Sequence, residues 1–142
     1  MEIALRIVIS YSLLLIFLVV GCEEPLSTGV NGKISFYTSS NYYSTIDSIQ
    51  VFIENHTQSN LNIGLRCGKY LEMYYQKKED STWSKYLWFS WMSMRCVTII
   101  DTIGNNSIYK FSIPSNEINT YGTYRLILAN DTAIVSNSFE IR

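Results

Sequence analysis

From Gly32 to the C-terminus, apolar residues recur at every second position, a pattern that suits half-buried strands and not amphipathic helices. Ser48-Ile49-Gln50-Val51-Phe52-Ile53-Glu54 places Ile49, Val51 and Ile53 on one face. Leu61-Asn62-Ile63-Gly64-Leu65 repeats the alternation, as do Lys33-Ile34-Ser35-Phe36-Tyr37 and Ser138-Phe139-Glu140-Ile141. Tyr109, Phe111 and Ile113 alternate with Ile108, Lys110 and Ser112, and Tyr124, Leu126 and Leu128 with Arg125, Ile127 and Ala129. Turn chemistry separates these runs at Glu54-Asn55-His56-Thr57, Gly104-Asn105-Asn106, Pro114-Ser115-Asn116 and Tyr121-Gly122. The spacing predicts an all-β sandwich of about seven or eight short strands over residues 33–142.

Composition excludes several function classes. Net charge is −1, and the adjacent Lys77 and Lys78 are followed at once by Glu79 and Asp80, so no basic patch offers itself to a phosphate backbone. A nucleic-acid partner is not expected. His56 is the only histidine and sits in an Asn-rich turn, where a solvated polar role is the ordinary one. Without a Gly-x-Ser-x-Gly, His-Glu-x-x-His or phosphate-loop motif, no enzyme activity, catalytic residue, metal or cofactor is expected.

Residues 1–21 read MEIALRIVISYSLLLIFLVVG: Arg6 supplies a positive start, and a run over residues 7–20 follows that is apolar apart from Ser10, Tyr11 and Ser12. That run of about fourteen residues is shorter than the roughly twenty a spanning helix needs, and it fits a signal-peptide hydrophobic region. It ends in Val19-Val20-Gly21-Cys22, which resembles the lipobox of bacterial lipoproteins. The resemblance implies cleavage before Cys22, acylation of its thiol, and retention on a membrane by two or three acyl chains, each buried methylene contributing about 0.8 kcal/mol. Glu23-Glu24-Pro25 resembles the surface-export signal of Bacteroidetes lipoproteins. The implied organisation is a signal peptide over 1–21, a lipidated tether over 22–32 and one domain over 33–142, held at the cell envelope on the outer membrane.

Asn119-Thr120-Tyr121-Gly122-Thr123-Tyr124-Arg125-Leu126 resembles the entry to a late strand of immunoglobulin-like domains. Val135-Ser136-Asn137-Ser138-Phe139-Glu140-Ile141 resembles the final strand of such domains on secreted lipoproteins. The resemblance implies an immunoglobulin-like sandwich in which Tyr124 is a structural corner, its hydroxyl returning to upstream backbone.

With Cys22 lipidated, Cys67 and Cys96 remain as one pair, and export to an oxidising compartment implies a disulfide between them. A reduced, buried pair is the alternative. Each aspartate is followed by Ser or Thr and then by Ile, Thr or Ala, at Asp47-Ser48-Ile49, Asp80-Ser81-Thr82, Asp101-Thr102-Ile103 and Asp131-Thr132-Ala133. These triplets resemble the O-glycosylation acceptor of exported Bacteroidetes proteins, which implies glycans on Ser48, Ser81, Thr102 and Thr132 at turn–strand junctions. Turn chemistry before a strand accounts for the same triplets. Asn55, Asn105 and Asn130 stand in Asn-x-Ser/Thr triplets that belong to another secretory system and are discounted.

The binding candidate is Trp83-Ser84-Lys85-Tyr86-Leu87-Trp88-Phe89-Ser90-Trp91. Read as one strand, it places Trp83, Leu87, Phe89 and Trp91 on the core face, with Tyr86 and Trp88 on the other, where flat rings suit a glycan or a protein partner. Cover for the sheet is the competing role of the same rings. The expectation is a membrane-anchored envelope lipoprotein whose domain binds a protein or glycan, with a ligand-free accessory lipoprotein as the alternative.

Overall fold

The computed structural model describes residues 33–142; the signal peptide, Cys22 and the tether lie outside the described residues. The strands are β1 (Ile34–Thr38), β2 (Tyr42–Tyr43), β3 (Ile49–Asn55), β4 (Leu61–Arg66), β5 (Tyr70–Leu71) and β6 (Met73–Glu79). They continue as β7 (Thr82–Trp83), β8 (Leu87–Trp88), β9 (Thr98–Ile103), β10 (Ser107–Ile113), β11 (Gly122–Leu128) and β12 (Phe139–Ile141). Four of the twelve are two-residue pieces, so the strands of three residues or more number eight. Among the described residues a single 3₁₀ turn, Ser90–Ser93, is the only helical element. The fold is all-β and sandwich-like.

Three sheets build it. The first runs β1-β3-β10, and the second runs β2-β12-β11-β6-β7 with β8 also on β6. The third runs β5-β4-β9. Chain-continuous strands link the first sheet to the third: β3 pairs with β10 to Asn55↔Ser107, and β4 resumes with β9 at Leu61↔Ile103. Residues 56–60 thus face residues 104–106, five against three, and the ladder cannot continue through the mismatch.

Asn55 holds that corner. Its side chain is fully buried, and Nδ2 donates to Ser59 O at 2.8 Å, to Ile103 O at 2.9 Å and, more loosely, to Gly104 O at 3.2 Å. Oδ1 accepts from Thr57 N at 3.0 Å and Thr57 Oγ1 at 2.7 Å, while the backbone carbonyl takes Asn106 N at 2.7 Å. One carboxamide thereby replaces the backbone pairs that the bulged corner gives up, which buried polar groups require. Asn55 was expected in a turn; it is the last residue of β3, and its burial leaves the Asn-x-Thr amide no room for a glycan.

Alternation delivers the core. Ile49, Val51 and Ile53 from the first sheet meet Met73, Tyr124, Leu126, Leu128, Phe139 and Ile141 from the second, and Ile63, Leu65 and Leu71 extend the core into the third. Tyr124 Oη donates to Thr120 O at 2.9 Å, tying the start of β11 to the loop before it. Gly122 begins β11 at φ +148°, a backbone conformation that strains any side chain, while the flexible end of Lys77, 2.7 Å from where a Cβ would stand, could move aside.

Cys67 and Cys96 are disulfide-bonded, with Cα atoms 5.2 Å apart. Cys67 and Gly68 lie in the three-residue β4–β5 loop with φ of +56° and +68°, the signs of a type I′ turn, closed by Lys69 N donating to Arg66 O at 3.1 Å. The bridge fastens this turn to the residue preceding Val97, whose carbonyl accepts Cys67 N at 3.0 Å.

Two stability changes are expected. Asn55→Ala strands carbonyls at the corner and should cost about 2–4 kcal/mol, read as a lower urea midpoint; a loss under 0.5 kcal/mol would remove Asn55 from its structural role. Opening the 29-residue bridge with Cys67→Ser/Cys96→Ser should cost roughly 3–4 kcal/mol in the chain-entropy model, measured by the same titration.

Candidate functional site

β6 is the scaffold of the site. Met73 is buried and Tyr75 packs against Phe89 and Tyr124, with ring centroids 4.8 and 6.2 Å apart. Period-two alternation puts Tyr74, Gln76 and Lys78 on the opposite, outer face. Tyr74 stands beside Trp88 of β8, and Lys78 beside Trp83 of β7. Across from β6, Gln76 faces Arg125 of β11.

Three rings gather on this face. Tyr86 stacks on Tyr74 at 5.6 Å with planes 4° apart, and Trp88 meets Tyr74 edge-on at 5.3 Å. Tyr86 is 46% exposed and Trp88 63%. The sequence candidates Tyr86 and Trp88 are therefore brought together on a third ring, Tyr74. Next to them the Arg125 guanidinium lies 4.3 Å from the Trp83 ring, and its Nε donates to Gln76 Oε1 at 2.9 Å. The guanidinium Nη groups make no hydrogen bond among the described residues. Gln76 and Arg125 escaped the sequence reading because it did not place β6 next to β11.

After Trp88 the chain turns inward. Phe89 and Trp91 are buried and stacked at 4.4 Å, and Trp91 Nε1 donates to Leu71 O at 3.0 Å. Glu117 clamps the turn by accepting Ser90 N at 2.8 Å and Ser90 Oγ. The expectation of one continuous strand is corrected here. The 3₁₀ turn at Ser90–Ser93 breaks it, Leu87 is 36% exposed, and Trp83 lies against Arg125 outside the core. Isolated periodicity cannot foresee that a segment will leave its sheet to fill the space between layers.

Towards the other edge of the same sheet, the outer-face neighbours Thr123, Glu140 and Tyr42 follow one another across β11, β12 and β2. Arg142 lies 4.1 Å from the Tyr42 ring and pairs with Glu140 at 2.9 Å. Asn41, Tyr42, Thr123, Ser138, Phe139 and Glu140 line a shallow depression of about 240 Å³.

Ser48, Ser81, Thr102 and Thr132 are all exposed. Ser48, Ser81 and Thr132 lie outside strands, whereas Thr102 is inside β9, where its hydroxyl bonds Asn62 Oδ1 at 3.2 Å; its expected position at a turn–strand junction is corrected. Two of the aspartates act in local turns: Asp47 accepts Ser44 N at 2.7 Å, and Asp131 accepts Ala133 N at 3.0 Å.

His56 bonds Glu54 at 2.8 Å, and Glu54 also accepts the Tyr37 hydroxyl. The Tyr37 bond, then the His56 bond, lowers the Glu54 carboxyl below its ordinary range, while the bond to Glu54 pushes Tyr37 up to about 12. Among the described residues, the His56 ring bonds only Glu54. Among the described residues no group of three or more His, Cys, Asp or Glu side chains could hold a metal ion.

No protein-family model matches the chain, and no curated protein is significantly similar to it. Among solved structures, the chain is similar to a β-glucosidase from Listeria innocua crystallised in complex with glucose, at 11% identity and a TM-score of 0.39. The match covers 77% of this chain and only 16% of that enzyme. At that distance it carries no argument about fold or activity.

Two tryptophans three residues apart, one buried and one exposed, should respond unequally to truncation. Trp91→Ala is expected to cost about 3–5 kcal/mol of unfolding free energy, and Trp88→Ala less than about 0.5 kcal/mol. Equal losses in parallel denaturation curves would show that Trp88 belongs to the core.

Proposed function

We propose that this protein is a lipid-anchored envelope protein whose immunoglobulin-like domain binds a protein or glycan partner on the outer face of its six-stranded sheet. One observation carries the reading: from a single aromatic stretch, Phe89 and Trp91 are buried while Tyr86 and Trp88 stay in solvent, braced by Tyr74. A ring fixed by its neighbours loses little rotamer freedom on binding, which is where aromatic hot spots gain over flexible side chains. Covering the exposed part of Trp88, roughly 150 Å², contributes on the order of 3–4 kcal/mol before association costs.

Compartment follows from two supports. The Val19-Val20-Gly21-Cys22 sequence supplies the anchor, and the Cys67–Cys96 disulfide fits an oxidising environment outside the cytoplasm. Acyl chains confine the domain near the membrane, and confinement raises the effective concentration of any partner held at the same surface. An accessory role without a ligand is the second reading. It is favoured by the way Tyr86 covers Tyr74 and Trp83 covers Arg125, which shields the sheet as well as it prepares a site.

A photo-crosslinking side chain in place of Trp88, in cells carrying the full chain, separates these readings. The binding role expects an adduct on irradiation in native membranes, absent when the same group replaces exposed Lys110 on the first sheet. Mass measurement of the same preparation should find a product starting at Cys22 with added acyl mass. A product starting at Met1, or no adduct at Trp88, rejects the corresponding half of the proposal.

A further inference from the structure

Resting on the binding role proposed above, we infer that the occupant of this face is an acidic saccharide chain laid across the strands between two ring–guanidinium pairs. The pairs are Tyr42–Arg142 on β2 and the C-terminal residue, and Arg125–Trp83 on β11 and β7. Sheet order puts β2 and β7 four strand spacings apart, about 19 Å, the reach of a short oligosaccharide. Between them lies the depression whose polar lining, Asn41, Thr123, Ser138 and Glu140, offers both donors and acceptors to sugar hydroxyls. Each ring has a guanidinium over one face, which holds it in place and leaves the opposite face for the C–H face of a sugar ring.

Charge selects the class of saccharide. Among the described residues, Glu140 is neutralised by Arg142, while Arg125 and the exposed Lys78 have no ion-pair partner. Arg125 keeps its Nη donors free, because its only hydrogen bond among the described residues runs from Nε to Gln76. A planar fork with free donors matches a carboxylate, so a uronate unit set over this end of the groove meets both its ring face and its charge. Glu79 and Asp80 lie at the tip of the β6–β7 hairpin, beyond Lys78 on the chain.

Retention of the detergent-solubilised full chain on polygalacturonate-linked and dextran-linked resins at low ionic strength tests the inference. Retention on polygalacturonate, release by salt and passage through dextran are expected. Tyr42→Ala, Trp83→Ala and Arg125→Gln should each weaken retention at least tenfold, and Tyr42→Phe should preserve it. Lys110→Gln should change nothing, since Lys110 lies against Phe52 on the first sheet and not on this face. No retention on polygalacturonate, equal retention on dextran, or equal weakening by Lys110→Gln overturns the inference; unfolded variants are recognised by their urea midpoints and replaced by Tyr42→Leu and Trp83→Leu. A Trp88 adduct in membranes without retention on either resin rejects the saccharide and leaves the binding role standing, whereas loss of both rejects the two together.

Discussion

The corner at Asn55 is the constraint on which the layering rests. A two-stranded ribbon that continued straight from β3 and β10 into β4 and β9 would stay in one sheet. Inserting five residues against three lets the ribbon leave the first sheet and enter the third, and it leaves backbone groups inside the protein without ladder partners. Only a short side chain with two donors and a strong acceptor can serve carbonyls on both strands and the turn between them. Asn55 fits that requirement; Asp lacks the donors, and Gln would place them one methylene too far out. In a low-dielectric site such a network is stable when every member is satisfied and costly when one is missing.

Once the ribbon has turned, the next segment must return to the second sheet. It does so within one stretch of chain: β5 pairs with β4, and β6 pairs with β11 two residues later. Glu72 stands at the changeover, its N–H donating to Gly64 O at 2.8 Å while its own carbonyl accepts Ala129 N at 3.1 Å. Opening the layers in this way leaves a space beside β6 that no strand fills. Trp91 and Phe89 fill it, with Trp91 stacked on Tyr70 at 5.6 Å and edge-on to Phe111 at 5.7 Å. The inward turn of Phe89 and Trp91 leaves Tyr86 and Trp88 on the outside.

How far the sequence speaks depends on how many faces of a strand are covered. β3 is legible because Ile49, Val51 and Ile53 are buried while Gln50 stays exposed. β6 is not, because the ring Tyr74 stands on its outer face and Lys77 on its inner face, laid over the Tyr124 ring, so Met73-Tyr74-Tyr75-Gln76-Lys77-Lys78 shows no alternation. β9 fails for the opposite reason. It is an edge strand whose Ile99 and Ile100 are both exposed, and an edge of this kind has no apolar face to report. The turn reading of Asn55 was right about its preference for irregular backbone and blind to its burial, since sequence shows which groups an amide can bond but not which carbonyls lie near it.

The same asymmetry governs the candidate site. Tyr86 and Trp88 were legible as rings of opposite facing from Phe89, because that needs only the pitch of a strand. Arg125, Tyr42 and Arg142 were not, because each belongs to the site through strand order: β11 beside β6, and β2 joined in parallel to β12. A parallel pair between distant segments leaves no local signature, unlike a hairpin whose turn advertises it. Residues that act singly can be found from periodicity; residues that act across a sheet wait for its topology. For this face, the surface chemistry is set by the order of strands, and the order of strands is set by where the ribbon bends.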